Sequence, residues 1–189
     1  MGCDWENFRK LNIIDIPKTK SMNTKILLSF FCLIFLLLGC GAKQEPKTIY
    51  IVRHAEKLLN VDDPTLNVAG TVRAKKLGQI MSDKEIAHVF STNTIRTKAT
   101  VQPVIDQSGL EIEFYDPKNH DDLVKELKNR KGNMLVVGHS NTVHHLANYF
   151  VGKSDPYPEL TDIEYNFIFV VSLNPNGTSR VERKIYRDF

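Results

Sequence analysis

Cysteine is scarce in this chain of 189 residues: there are three, at positions 3, 32 and 40. All lie at or before residue 40, so the remainder forms no disulfide and offers neither a thiol nucleophile nor a thiolate metal ligand. No glycine-rich phosphate loop occurs, so a bound phosphate must be cradled by side chains. No His-x₃-His spacing or cysteine pair occurs either, and no metal site is expected. Strong charge of one sign is also missing. The formal net charge is +3. Residues 1–39 hold five Lys/Arg and three Asp/Glu, which leaves 25 − 5 = 20 against 22 − 3 = 19 beyond them. A near-neutral remainder has no basic stripe, which argues against a nucleic-acid partner.

Long apolar runs are missing too, with one exception. After Met22 and Lys25, Ile26 to Leu38 is apolar but for Ser29, and Gly39-Cys40 follows. A positive start, an apolar stretch and small residues make the layout of an export signal. The run of about 13 residues falls well short of the ~20 that span a bilayer as a helix. Leu37-Leu38-Gly39-Cys40 resembles the lipobox of bacterial lipoproteins. That resemblance implies cleavage before Cys40, lipidation of Cys40 and a cell-envelope lipoprotein held at a membrane by acyl chains. On this reading residues 1–21 are an over-extended N-terminus, 22–39 a signal peptide, 40–47 a lipidated tether and 48–189 one domain.

From Thr48 onward, strand-like and helix-like runs alternate. Strands are expected at 48–52, 86–90, 112–115 and 133–137, where β-branched and apolar residues cluster. Helices are expected at 65–81, 96–107, 119–129 and 141–150 from apolar spacing. Thr65 is the expected cap of the first, with Leu66, Ala69 and Val72 on its apolar face. Pro103 is expected to kink or stop the second. Residues 165–173 and 179–186 flank Asn174-Pro-Asn-Gly177 and read as a hairpin. The expected fold is an α/β/α three-layer sandwich with a mostly parallel sheet and a C-terminal β-hairpin.

In such sheets ligands bind beyond the carboxyl ends of the strands. Arg53-His54-Ala55-Glu56 follows the first strand, and Ser91 then Arg96-Thr97 follow the second. Asp116 follows the third and Gly138-His139-Ser140-Asn141 the fourth. Two arginines, two histidines and a carboxylate therefore share one edge. Arginine forks match phosphate oxygens, and phosphoryl transfer depends mainly on positioning and charge stabilisation. A neutral imidazole can hold the phosphoryl group covalently. Arg96 stands near a helix start, where cations are disfavoured, which points to an anion nearby. The helix opening at Asn141 adds backbone N–H groups.

These segments resemble the histidine phosphatase (phosphoglycerate mutase-like) superfamily. Arg53-His54-Ala55-Glu56 is similar to its RHG/RHA signature. STNTIRTKAT (91–100) is similar to the segment with its second arginine, and VVGHSNT (136–142) to that with its second histidine. LNVAGTVRAKKL (66–77) is similar to the helix between the first two. The resemblance implies a phosphatase acting on a phosphorylated small molecule or protein. His54 would be the phosphorylated nucleophile, Arg53, Arg96 and His139 the phosphate ligands and Asn60 a further contact. No metal or organic cofactor is implied. Asp116 is the candidate general acid, standing near the mutase branch's glutamate, with Glu113, Asp121 and Asp122 behind it. Ser140 stands where the phytase branch has its aspartate. A mutase fits less well, because no large insertion separates the first two motifs. The alternative is a catalytically inactive phosphate-binding or scaffold lipoprotein of the same fold.

A serine hydrolase reading of Gly138-His139-Ser140-Asn141-Thr142 fails. The nucleophile elbow needs glycine where Thr142 stands, and an acid and histidine well downstream. His144 and His145, adjacent on a helix, are expected to point apart. His88 and His120 carry no signal. Tyr149, Phe150, Phe167 and Phe169 are expected in the core.

Overall fold

A computed structural model describes residues 45–152 and 156–189. The expected over-extended N-terminus, signal peptide and lipidation site at Cys40 lie outside these residues. Among these residues six strands and four helices follow in order, alternating up to β5: β1 (Lys47–Arg53), α1 (Val68–Met81), β2 (Ile86–Ser91), α2 (Ile95–Ser108), β3 (Ile112–Phe114), α3 (His120–Asn129), β4 (Asn133–Gly138), α4 (Ser140–Val151), β5 (Phe167–Leu173) and β6 (Ser179–Ile185). A short 3₁₀ turn, Tyr186–Asp188, ends the chain.

The sheet order is β3-β2-β4-β1-β5-β6. β1, β2, β3 and β4 run parallel, whereas β5 is antiparallel to β1 and pairs with β6 as the expected hairpin. The central strands β1 and β4 are buried on both faces, which is why they read as unbroken apolar runs. One core layer joins Ile49, Ile51, Met134, Val136 and Phe169 to Leu146 and Phe150 of α4 and Leu123 and Leu127 of α3. The other joins Tyr50, Val52, Leu135 and Val137 to Leu77, Ile80 and Met81 of α1 and Val101 and Val104 of α2. The α/β/α sandwich follows from these two faces.

Several local expectations are corrected. α1 starts at Val68, capped by Asn67, whose Oδ1 accepts the Gly70 amide at 2.9 Å. Thr65 is not its cap, because the chain is still extended there: Leu58 donates to the Thr65 carbonyl and Lys57 pairs with Leu66. The buried face of α1 is Gly70, Ala74, Leu77, Gly78, Ile80 and Met81, while Ala69 and Val72 face solvent. Pro103 does not stop α2, which runs on to Ser108 and sets the Pro103 ring beside Gly78 of α1. Tyr149 is exposed rather than core, because its hydroxyl reaches the Asp121 carboxylate at the surface. The His144 and His145 rings lie together, centroids 3.9 Å apart, because their side chains turn toward each other.

Candidate active site

The site is assembled where strands end. The His54 amide donates to the Gly138 carbonyl at 2.9 Å, one more rung beyond the β1–β4 ladder. That rung sets the residues after β1 and β4 side by side. The rings of His54 and His139 are 5.5 Å apart between centroids, at 64°. The Ala55 amide donates to Thr100 Oγ1 at 2.9 Å, and the Thr100 hydroxyl donates to the Arg96 carbonyl, so α2 is tied to the same segment.

His54 is almost fully buried, 3% exposed. Its Nδ1 lies 2.8 Å from the Ala55 carbonyl. A carbonyl can only accept, so Nδ1 carries the proton and Nε2 keeps its lone pair. Burial pulls the pKa down to about 3, aided by His139, Arg53 and Arg96 and opposed by the Ala55 carbonyl. The ring is neutral at physiological pH, the state a nucleophile needs.

His139 is oriented by a second set of bonds. Arg96 Nη2 donates toward its Nδ1 at 3.4 Å, so Nδ1 is the acceptor and Nε2 carries hydrogen. Nε2–H donates to Thr92 Oγ1 at 2.9 Å, and the Thr92 hydroxyl donates to Thr97 Oγ1 at 3.2 Å. Thr97 returns its proton to the Thr92 carbonyl at 2.7 Å. Both threonines are buried. Burial, with the charges of Arg96 and Arg53, lowers the His139 pKa to about 4, against a small opposing pull from Asp63.

Arg53 donates to the Thr161 carbonyl at 2.6 Å, to the Glu164 carbonyl at 3.3 Å and toward the Tyr165 hydroxyl at 3.4 Å. Its guanidinium also stacks 4.1 Å over the Tyr165 ring. Arg96 pairs with Asp63 at 3.3 Å. Each arginine keeps a buried Nε–H with no acceptor among the described residues. Buried donors of this kind are rare in folded proteins unless an acceptor binds there.

The next residue, Glu56, holds the neighbouring helix. Its carboxylate takes Arg73 Nη2 at 2.6 Å and Nε at 2.9 Å, a bidentate pair. Burial raises the Glu56 pKa, but the bonds and charge of Arg73 outweigh it and the net shift is downward. α1 also comes very close at Gly70: a Cβ there would stand 2.1 Å from the Glu56 carbonyl oxygen.

Arg53, His54, Arg96 and His139 line one cavity of about 570 Å³, with Lys57, Lys118, Glu159, Asp162 and the α4 start, Ser140 to Thr142. The structure thus brings four of the expected site residues together. It does not bring Asp116 to this cavity. Asp116 closes its own turn, accepting the Lys118 amide at 2.9 Å and, through its carbonyl, the Asn119 amide. The reserve acids are engaged elsewhere: Glu113 with His88 and Arg130, Asp121 with Tyr149, and Asp122 with Asn119. Asn60 is exposed at the tip of the β1–α1 loop, with φ of +59°, and is not part of the cavity wall.

Sequence reasoning missed Thr92, although it directly follows β2 and the strand-end rule covers it. It also missed Glu159, Asp162 and Tyr165, which precede a strand. β5 is antiparallel, so its beginning lies at the edge where the parallel strands end. Among the described residues, no group of three or more His, Cys, Asp or Glu side chains is arranged to hold a metal ion.

Residues 49–117 match the sequence profile of the histidine phosphatase superfamily (branch 1). The fold is similar to that of the protein histidine phosphatase SixA complexed with tungstate, at 18% identity and a TM-score of 0.59, over 75% of this chain and 98% of that one. It is similar to phosphoglycerate mutase from Bacillus anthracis str. Sterne, at 15% identity and 0.60, over 75% and 94%. It is also similar to phosphoglycerate mutase from Plasmodium falciparum, at 17% identity and 0.53, over 74% and 90%. A search of curated protein sequences finds no match. The described domain therefore has the histidine phosphatase fold and carries, in residues 49–117, the sequence profile of that superfamily's first branch.

Proposed function

We propose that this chain is a phosphatase that hydrolyses a phosphomonoester or phosphoramidate through a phosphohistidine on His54. One observation carries the reading: a neutral, buried imidazole with a free Nε2 lone pair beside two arginines whose Nε–H groups are buried without acceptors among the described residues. Nε2 attacks phosphorus in line, the bond to the leaving group breaks and the phosphoryl group passes to His54. Arg53 and Arg96 neutralise the oxygens, and His139 lines the same cavity beside them. Glu159 and Asp162, which line the same cavity, are the candidate donors of the leaving group's proton. Water then attacks phosphorus, releasing phosphate and restoring His54.

The test is turnover of an aryl phosphate together with trapping of an acid-labile phosphoenzyme. His54→Ala is expected to remove the phosphoenzyme and lower turnover by about three orders of magnitude. A folded wild-type chain that binds phosphate without turnover would favour the inactive binding lipoprotein instead. We further propose that the chain is an exported lipoprotein anchored through Cys40, a reading supported by the apolar run and lipobox-like residues before it. Incorporation of labelled fatty acid that is lost in Cys40→Ala tests this.

A further inference from the structure

Of the side chains lining the cavity around His54, only Pro117 lacks a polar group, and no bulky aliphatic residue is among them. The apolar side chains stand outside, on the two loops that make the rim. The β1–α1 loop puts Lys57 into the cavity and then presents Leu58, Leu59 and Val61, which are 42%, 73% and 57% exposed. Asp63 of that loop accepts the Ile95 amide at 3.1 Å, which sets the loop tip beside Ile95, itself 46% exposed. The loop before β5 puts Asp162 into the cavity and then presents Ile163, 88% exposed. Several bulky aliphatics so exposed, on two loops that each send a residue into one cavity, suit a surface that meets another. Inside the rim, Lys57 and Lys118 line the cavity and make no ion pair among the described residues.

We propose that this mouth is a membrane-docking face and that the substrate class is a phosphomonoester displayed at an anionic bilayer, a lipid-borne phosphate. The proposal rests on the reading of the site as a phosphatase. Charge complementarity selects the bilayer: the lysines face anionic headgroups while the aliphatic tips enter the acyl boundary. The chain outside the described residues points the same way, with its apolar run and Cys40 just ahead of β1. β1 separates the start of the domain from the site by about 23 Å at 3.3 Å per residue. The residues from Cys40 to Pro46 reach at most about 25 Å when extended. The tether is therefore long enough for the strand-end face to turn toward the membrane that holds the anchor.

The test uses the full chain reconstituted in phosphatidylcholine vesicles. Dioleoyl phosphatidate is the bilayer probe, an aryl phosphate the soluble probe and a phosphohistidine-bearing protein the third. Wild type is expected to release phosphate from all three, with phosphatidate turnover falling as salt rises. Leu59→Glu combined with Ile163→Glu is expected to lower phosphatidate turnover at least about tenfold, with aryl phosphate turnover within about twofold of wild type, which also reports that the variant folds. Aryl phosphate turnover without phosphatidate turnover, or equal effects of the variant on both, overturns the docking proposal alone. Loss confined to the phosphoprotein assigns the face to a protein and overturns it as well. If wild type turns over none of the three, the phosphatase reading falls and the proposal with it.

Discussion

Removing the Thr92 hydroxyl isolates what orients His139. Thr92→Val keeps the shape of a fully buried side chain and deletes the acceptor 2.9 Å from His139 Nε2. The imidazole then has two options. It keeps its hydrogen on Nε2, leaving a buried donor unpaired, at a cost of about 1–3 kcal/mol. Otherwise it moves the hydrogen to Nδ1, where it opposes the Arg96 Nη2 donor 3.4 Å away. The first outcome leaves the ring held from the Arg96 side alone, and the second withdraws its acceptor nitrogen from Arg96. At about 1.4 kcal/mol per tenfold, that range corresponds to a loss of roughly 5- to 150-fold in kcat/KM. Thr92→Ser keeps the hydroxyl and is expected to stay within a few-fold of wild type. Nitrogen-15 chemical shifts of the His139 ring give the tautomer directly, and urea unfolding gives the stability loss. Unchanged ring shifts and unchanged kcat/KM in Thr92→Val would refute the orientation argument, because the hydroxyl would then be an incidental contact.

Gly70→Ala is expected to destabilise the domain by more than the usual overpacking cost of about 1–3 kcal/mol, because the new Cβ meets backbone 2.1 Å away. Urea unfolding reads it, and a wild-type midpoint would show that α1 can move away from Glu56 freely. Acid should destabilise the domain through the two site histidines, whose folded values are about 3 and about 4 against an ordinary 6.5. In the interval between, the unfolded chain binds more protons. Stability therefore falls as pH drops below about 6.5, by up to about 1.4 kcal/mol per pH unit for each histidine. His54→Gln, which cannot titrate, should flatten that slope when unfolding is followed from pH 7 to 5; an unaltered slope would contradict the burial argument.

Much of the fold was legible in the residue order. The apolar runs of β1 and β4 announced a sheet covered on both faces, because strands buried on both sides need no polar alternation. Strand-end reasoning collected Arg53, His54, Arg96 and His139 from three separate segments, since parallel strands send their following residues to one edge. The same reasoning misled at Asp116. It also sits just past a strand, but an aspartate before Pro117 satisfies the nearest amides and closes its own turn. Residue type and position do not distinguish that from a side chain facing the cavity.

What the amino-acid sequence determined by itself was the order of elements, the edge on which the chemistry gathers and the kinds of side chain gathered there. These follow from local periodicity and from the direction of parallel strands. Only the tertiary structure decided which nitrogen of His54 is free, that His139 leans on a buried threonine, and that the segment before β5 closes over Arg53. Each of those depends on contacts between residues distant in the chain, or on the burial that such contacts create.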